Sequence, residues 1–172
     1  MNETIKTLMS RRSVRSFKSD TVPDEIIKEI TLAGEYAPSG MGKQSTVMVV
    51  VKDKETIKTL SRINAEVMGA NRDPFYGAPA VIIVFADSTV RTYVEDGSLV
   101  MGNLLNAASS LGVDSCWIHR ARETFQTDEG KALMEKWGLD EKYVGIGNCI
   151  LGYADGEKPQ PAARKEGFVI YG

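Results

Sequence analysis

Arg11, Arg12 and Arg15 flank Ser13 in a chain that is otherwise slightly acidic, with 21 Lys and Arg against 23 Asp and Glu and a formal net charge of −2. Arginine forks bind oxyanions bidentately and a serine hydroxyl adds a further donor, so the chemistry open to this segment is recognition of a phosphate or carboxylate. A second basic pair, Arg164-Lys165, stands in an irregular tail after Pro159 and Pro161, an odd place to concentrate charge for folding purposes. Counting closes other chemistries. Cys116 and Cys149 are the only cysteines and His119 the only histidine, at spacings that fit no zinc pattern. A Ser-His-Asp or Cys-His hydrolase would have to be built on His119. Two separated cysteines in an acidic chain read as small buried hydrophobes rather than a disulfide. Gly145-Ile-Gly147 begins like a dinucleotide fingerprint, but Ile150 stands where a third small residue is needed. Gly42-Lys43-Gln44 lacks the earlier glycine and the Ser/Thr of a phosphate loop. The carboxylates form no pair and are expected on scattered solvent faces.

These groups need a scaffold. At 172 residues, 42% apolar and 26% charged, the chain is expected to form a single domain over residues 1–172. The acidic balance argues against a nucleic-acid partner. The longest apolar run, Ala78 to Ala86, is too short for a bilayer and carries Pro79, and the first residues lack a signal-peptide core, so a soluble, cytoplasmic protein without membrane partner is expected.

Ile5, Leu8 and Met9 have helical spacing. A second helix follows Pro23, with Asp24 and Glu25 in its first turn and Ile26, Ile30, Ala33 and Ala37 as its buried stripe, and stops before Pro38. Thr46–Val51 reads as a fully buried strand, and Asp53 caps a helix with Ile57, Leu60, Asn64 and Val67 on one side. Ala80–Ala86 is a buried strand. After Asp96 comes a helix apolar almost all round, through Leu99, Leu104 and Leu111, ended by Gly112. Asp114–Ile118 is a short strand, Asp128–Trp137 a surface helix closed by Gly138, and Val144–Leu151 a third long strand. The polar tail ends in an apolar piece, Phe168 to Tyr171. Interleaved helices and strands around one sheet give α/β or α+β, and periodicity does not choose between them.

Several segments in this order resemble the FMN-dependent nitroreductases in their short single-domain form. They are Arg11-Arg12-Ser13-Val14-Arg15-Ser16-Phe17, Ala37-Pro38-Ser39-Gly40-Met41-Gly42-Lys43-Gln44, Ala78-Pro79-Ala80, Gly102-Asn103-Leu104-Leu105-Asn106, Gly112 to Ile118, Ile150-Leu151-Gly152-Tyr153 and Pro161-Ala-Ala-Arg164-Lys165. The resemblance covers nearly the whole chain. It implies an α+β fold with a mixed central sheet flanked by helices around a long buried core helix.

It also implies roles. Arg11, Arg12, Ser13 and Arg15 would hold the FMN phosphate and the pyrimidine edge of the flavin, where positive charge stabilises the anionic reduced ring. Arg164 and Lys165 match a second phosphate grip. Pro38, Ser39, Gly40, Met41 and Gln44 match a loop that a partner subunit lays against the ring, which makes the protein a homodimer. Ile118, His119 and Arg120 fall where backbone groups approach flavin N5, and Asn71 aligns with another flavin contact. The activity implied is hydride transfer from NAD(P)H to N5, then reduction of a nitroarene, quinone or similar electrophile by a ping-pong mechanism, with no side chain as covalent catalyst and no metal. The alternative is a flavin-binding storage or sensing protein without turnover. The chain departs from the family pattern at Gly40 and Gly42, where serine and asparagine are common, and at His119, where larger relatives carry an acid.

Overall fold

The computed structural model describes residues 1–172. In chain order the elements are α1 (Glu3–Ser10), α2 (Asp24–Glu35), β1 (Thr46–Val51), α3 (Lys54–Met68), β2 (Ala80–Asp87), α4 (Tyr93–Ser110), β3 (Asp114–Ile118), α5 (Ala121–Thr124), α6 (Asp128–Lys136) and β4 (Tyr143–Gly152). The four strands form one sheet in the order β1-β2-β4-β3, every neighbouring pair antiparallel. The class is therefore α+β. The expected mixed character is confined to a single parallel bridge, Ser13 to Ser115, which lays the arginine segment along the outer edge of β3.

Side chains alternate across β2, the central strand with β4, and so divide the core in two. Val81, Ile83 and Phe85 meet Ile57 and Leu60 of α3, Met134 of α6, and Val14, Phe17 and Phe125. Ile82 and Val84 meet Ile27 and Ile30 of α2 and Val100, Met101 and Leu104 of α4. A bulge breaks the β2–β4 register: Val84 pairs with Gly147 and Phe85 with Gly145. The extra residue, Ile146, lies so close to Gly97 of α4 that a Cβ there would fall 2.5 Å from it.

Local signals gave the right elements where the forces are local. Asp53 caps α3, accepting from Thr56 N–H at 2.8 Å, and Gly112 and Gly138 take the left-handed conformation just past α4 and α6. Three expectations need correcting. The buried face of α2 is Ile27, Ile30 and Gly34, one step round from the expected stripe, because Gly34 lets Met48 of β1 approach closely. β1 is a half-buried edge strand with Val50 41% exposed, since only one side of it has a neighbour. α4 begins at Tyr93 rather than after Asp96, which leaves Asp96 in its first turn and buried. The carboxylates are thus not all on solvent faces. No helix is long and apolar enough to cross a membrane.

Candidate functional site

The bridge from Ser13 to Ser115, reinforced by Val14 N–H donating to Ser115 O at 3.1 Å, fixes the arginine segment. Val14 and Phe17 are buried and Arg15 is exposed, so apolar anchors alternate with outward polar groups. Arg11, Arg12, Ser13 and Arg164 share the wall of one cavity of about 630 Å³, closed by Gln160 to Ala162 of the tail. None of the ion pairs in the chain includes these arginines, Arg15 or Lys165.

Arg12 Nη1 donates to the carbonyls of Met9 and Arg11 at 2.9 and 2.6 Å, and so holds the last turn of α1. Arg11 Nη1 is buried with no hydrogen-bond partner, as is Ser115 Oγ across the bridge from Ser13. Buried donors are normally paired, and a charged donor without a partner is costly. Ser115 lies outside the cradle wall, whereas Arg11 lines it with Arg12, Ser13 and Arg164, so the donor set there fits a phosphate. Behind the cradle, burial pushes the Cys116 thiol up, against the opposing influence of Arg15, the Ser13 hydroxyl and Arg11.

Three residues up β3, about 10 Å from Ser115 at ~3.3 Å per residue, the Ile118–Arg120 turn is pinned by two buried amides. Asn148 Nδ2 donates to Ile118 O at 3.3 Å and Asn64 Nδ2 to His119 O at 2.8 Å. Arg120 follows with φ +69°, a left-handed conformation costing a non-glycine residue about 1–2 kcal/mol. Gly145 and Gly147 of the rejected fingerprint make room here: a Cβ would meet Ala121 at 2.7 Å and Trp117 Nε1 at 2.5 Å respectively.

The Pro38–Gln44 loop carries more strain. Met41 (φ +54°) and Gln44 (φ +47°) are both left-handed, and Met41 is 87% exposed. Its anchor is Asp96, which accepts from Gly40 N–H at 2.9 Å, Ser45 Oγ at 2.7 Å and Thr92 Oγ1 at 3.2 Å. A Cβ at Gly40 would fall 2.3 Å from Thr92 Oγ1, which explains the absence of the family's serine. Gly42 has φ +65° and open space around it, a conformation that asparagine also tolerates.

Burial raises the Asp96 carboxyl, but the hydrogen bonds from Gly40, Ser45 and Thr92 outweigh it and hold the group below the usual carboxylate range. Asp96→Ala is expected to lower stability by about 2–4 kcal/mol, because it leaves Gly40 N–H and the Ser45 hydroxyl unpaired. Urea unfolding checks this, and a loss under about 1 kcal/mol would show that Asp96 does not anchor the loop. A depressed folded value means the contribution is complete above the unfolded value of about 3.9 and is lost as pH falls through the folded one. Asp96→Asn should remove that part of the acid sensitivity.

The expected residues thus gather in three places. Arg11, Arg12, Ser13 and Arg164 form the cradle, with Arg15 beside it, while Lys165 lies outside its wall, 5.4 Å from the Phe168 ring. His119 and Arg120 line a second cavity at the far end of β3, while Ile118 is buried and outside its wall. Pro38, Ser39, Gly40, Met41 and Gln44 form the anchored loop. Asn71 lines neither cavity. Asn64, Asn148 and Asp96 went unassigned; a polar side chain at an apolar position, as Asn64 and Asn148 are, was the available signal.

An edge-strand anion cradle, a pinned turn and an exposed strained loop on this α+β sheet define a cofactor-binding protein of the nitroreductase type. Residues 8–153 match the family model described as Nitroreductase family, and the chain belongs to that family. An Archaeoglobus fulgidus protein, named for NADH dehydrogenase or NAD(P)H nitroreductase activity, is 34% identical over 92% of this chain and 89% of its own. The FMN reductase [NAD(P)H] of Bacillus subtilis is 25% identical over 96% of this chain and 72% of its own. The crystal structure of a nitroreductase with bound FMN from Bacteroides fragilis superposes with a TM-score of 0.92 at 27% identity, over 99% of both chains. A second, from Desulfitobacterium hafniense and also with bound FMN, gives 0.90 at 28% identity over 99% of this chain and 98% of that one.

Proposed function

We propose that this protein is an FMN-dependent NAD(P)H oxidoreductase that reduces electrophiles such as nitroarenes or quinones by a ping-pong mechanism. Family membership and the FMN-bound relatives support the cofactor and the class of activity. The observation that carries the reading to this chain is the cradle itself, with its unpartnered Arg11 donor. The chemistry FMN supplies when bound is two-electron transfer, hydride in from NAD(P)H and electrons out to the acceptor.

The residues of this chain bind, orient and charge that site. Arg11, Ser13 and Arg164 would hold the phosphate, with Arg12 fixing the helix end behind it and Lys165 joining from the tail. Arg15 would meet the pyrimidine edge, where positive charge favours the reduced, anionic state, and Asn71 would make a further flavin contact. The pinned turn Ile118–His119–Arg120 would offer its backbone at the redox-active edge, so Asn64 and Asn148 are positioning residues. Residues 1–172 act here as one FMN-binding unit, and a second copy would bring its Pro38–Gln44 loop to the ring.

Exposed apolar groups in three places support a homodimer. α1 buries none of its residues and leaves Ile5, Leu8 and Met9 exposed. Leu99 of α4 is 46% exposed, and Phe168 to Tyr171 of the tail are exposed throughout. Apolar groups gathered on outer faces mark an interface.

One cavity serving both substrates in turn predicts parallel double-reciprocal lines when donor and acceptor are varied. The yellow holo-protein should bleach under anaerobic NAD(P)H and recover its colour on adding an acceptor. Intersecting lines with a ternary-complex inhibition pattern would overturn the ping-pong order, and failure to bleach would overturn turnover itself.

A further inference from the structure

The cavity at the far end of β3 has a charge character of its own. It measures about 320 Å³ and lies between the start of α4, the Trp117–Arg120 turn, α5 and the bulge at Ile146. Two arginines dominate its polar wall, beside Ser98, His119 and Glu123. Arg120 takes part in no ion pair. Arg122 Nη2 donates to Tyr93 Oη at 3.1 Å, which orients the guanidinium and leaves the rest of the fork free. The one carboxylate in the wall, Glu123, is exposed and also unpaired, so two guanidinium groups face a single negative charge. Val94 and Ile146 give the cavity an apolar side.

We propose that this cavity selects electron acceptors that carry a carboxylate, held by Arg120 and Arg122, with the apolar body of the acceptor against Val94 and Ile146. The inference rests on the reading above, in which the Ile118–Arg120 turn borders the redox site, and adds the substrate class. Guanidinium forks match a carboxylate in shape as well as charge. A volume near 320 Å³ is at the small end for ligand pockets and suits one ring at a time, the nicotinamide end of the donor and then the acceptor. A site built from charged donors also discriminates against a neutral analogue, which leaves those donors unpaired.

The probe reaction is ArNO₂ + NAD(P)H + H⁺ → ArNO + NAD(P)⁺ + H₂O. One N–O bond breaks, the nitro group takes two electrons and two protons, the oxygen leaves as water, and NAD(P)H is oxidised.

The test compares 4-nitrobenzoate with 4-nitrobenzyl alcohol, matched in ring and nitro group, using holoenzyme with excess FMN and saturating NAD(P)H under anaerobic conditions. The readout is the ratio of the two kcat/KM values, so a general loss of activity cancels. Wild-type enzyme should favour the carboxylate by about tenfold or more, the scale of one charge-assisted hydrogen bond. Arg120→Gln/Arg122→Gln should bring the ratio to about unity through KM for the carboxylate, and added salt should move the wild-type ratio the same way. Arg122→Gln alone, at an exposed position, keeps the test alive where the double variant is unstable. A wild-type ratio at or below unity, or one that the substitutions leave unchanged, overturns the proposal while the oxidoreductase reading stands. A rise in KM for NAD(P)H with an unchanged acceptor ratio assigns the arginines to the donor and also overturns it. No turnover of either acceptor by FMN-loaded enzyme overturns the oxidoreductase reading and this inference with it.

Discussion

Arg11→Glu is expected to purify as folded, colourless protein with FMN affinity lowered at least about a hundredfold. A charge-assisted hydrogen bond contributes about 1.5–3 kcal/mol, or roughly 10- to 150-fold in affinity. The substitution removes that bond and sets a carboxylate against a phosphate carrying about −1.5 to −2 charges. Arg11 is the informative position because its Nη1 is buried and has no partner within the chain. Arg12→Glu is the less specific variant, since Arg12 also holds the Met9 and Arg11 carbonyls at the end of α1. A negative charge at that end would oppose the helix dipole as well. Arg11→Gln, which keeps size and loses charge, should fall between wild type and Arg11→Glu and guards against a folding failure. Circular dichroism checks the fold, and flavin absorbance after gel filtration checks occupancy. Near-stoichiometric FMN in folded Arg11→Glu would remove the cradle from the cofactor site.

The cradle was legible because most of it is contiguous: Arg11, Arg12 and Ser13 carry their chemistry as a short string. Arg164 lies about 150 residues further on, and only the family pattern joined it to them before the fold did. Helix α3 was legible for the same local reason, its cap at Asp53 and its stripe being properties of one segment. β1 was not, because the sequence of a strand records that it is apolar and leaves open whether it has one neighbour or two. Asp96 was hidden more deeply. Its partners Gly40 and Ser45 stand 56 and 51 residues earlier, so a buried acid looked like a helix flank. Gly40 itself read as a departure from the family until Thr92 was found against it. What stayed illegible is tertiary pairing of polar groups, which no period or cap encodes.

FMN release and subunit dissociation are expected to occur together on dilution. The strained Pro38–Gln44 loop explains the coupling. It holds Met41 and Gln44 in left-handed conformations and exposes Met41, while a buried carboxylate fixes its base. Strain of about 1–3 kcal/mol per residue persists where the surroundings over-determine it, and it concentrates at functional sites. Within one chain the loop serves no packing purpose that would require exposed Met41. Against the flavin of a second copy it would form part of the binding site, with the bare face of α1 and the Phe168–Tyr171 tail closing the interface. Linkage then requires that FMN tighten the dimer by the same factor by which dimerisation tightens FMN. Holo-protein should sediment at twice the mass of one chain, and apo-protein should dissociate at a higher protein concentration than holo-protein. Asp96→Ala, by loosening the loop, should shrink the difference between the two. A monomer that holds FMN at every concentration would remove the interface from the site, and with it the roles given to Ser39, Gly40 and Met41.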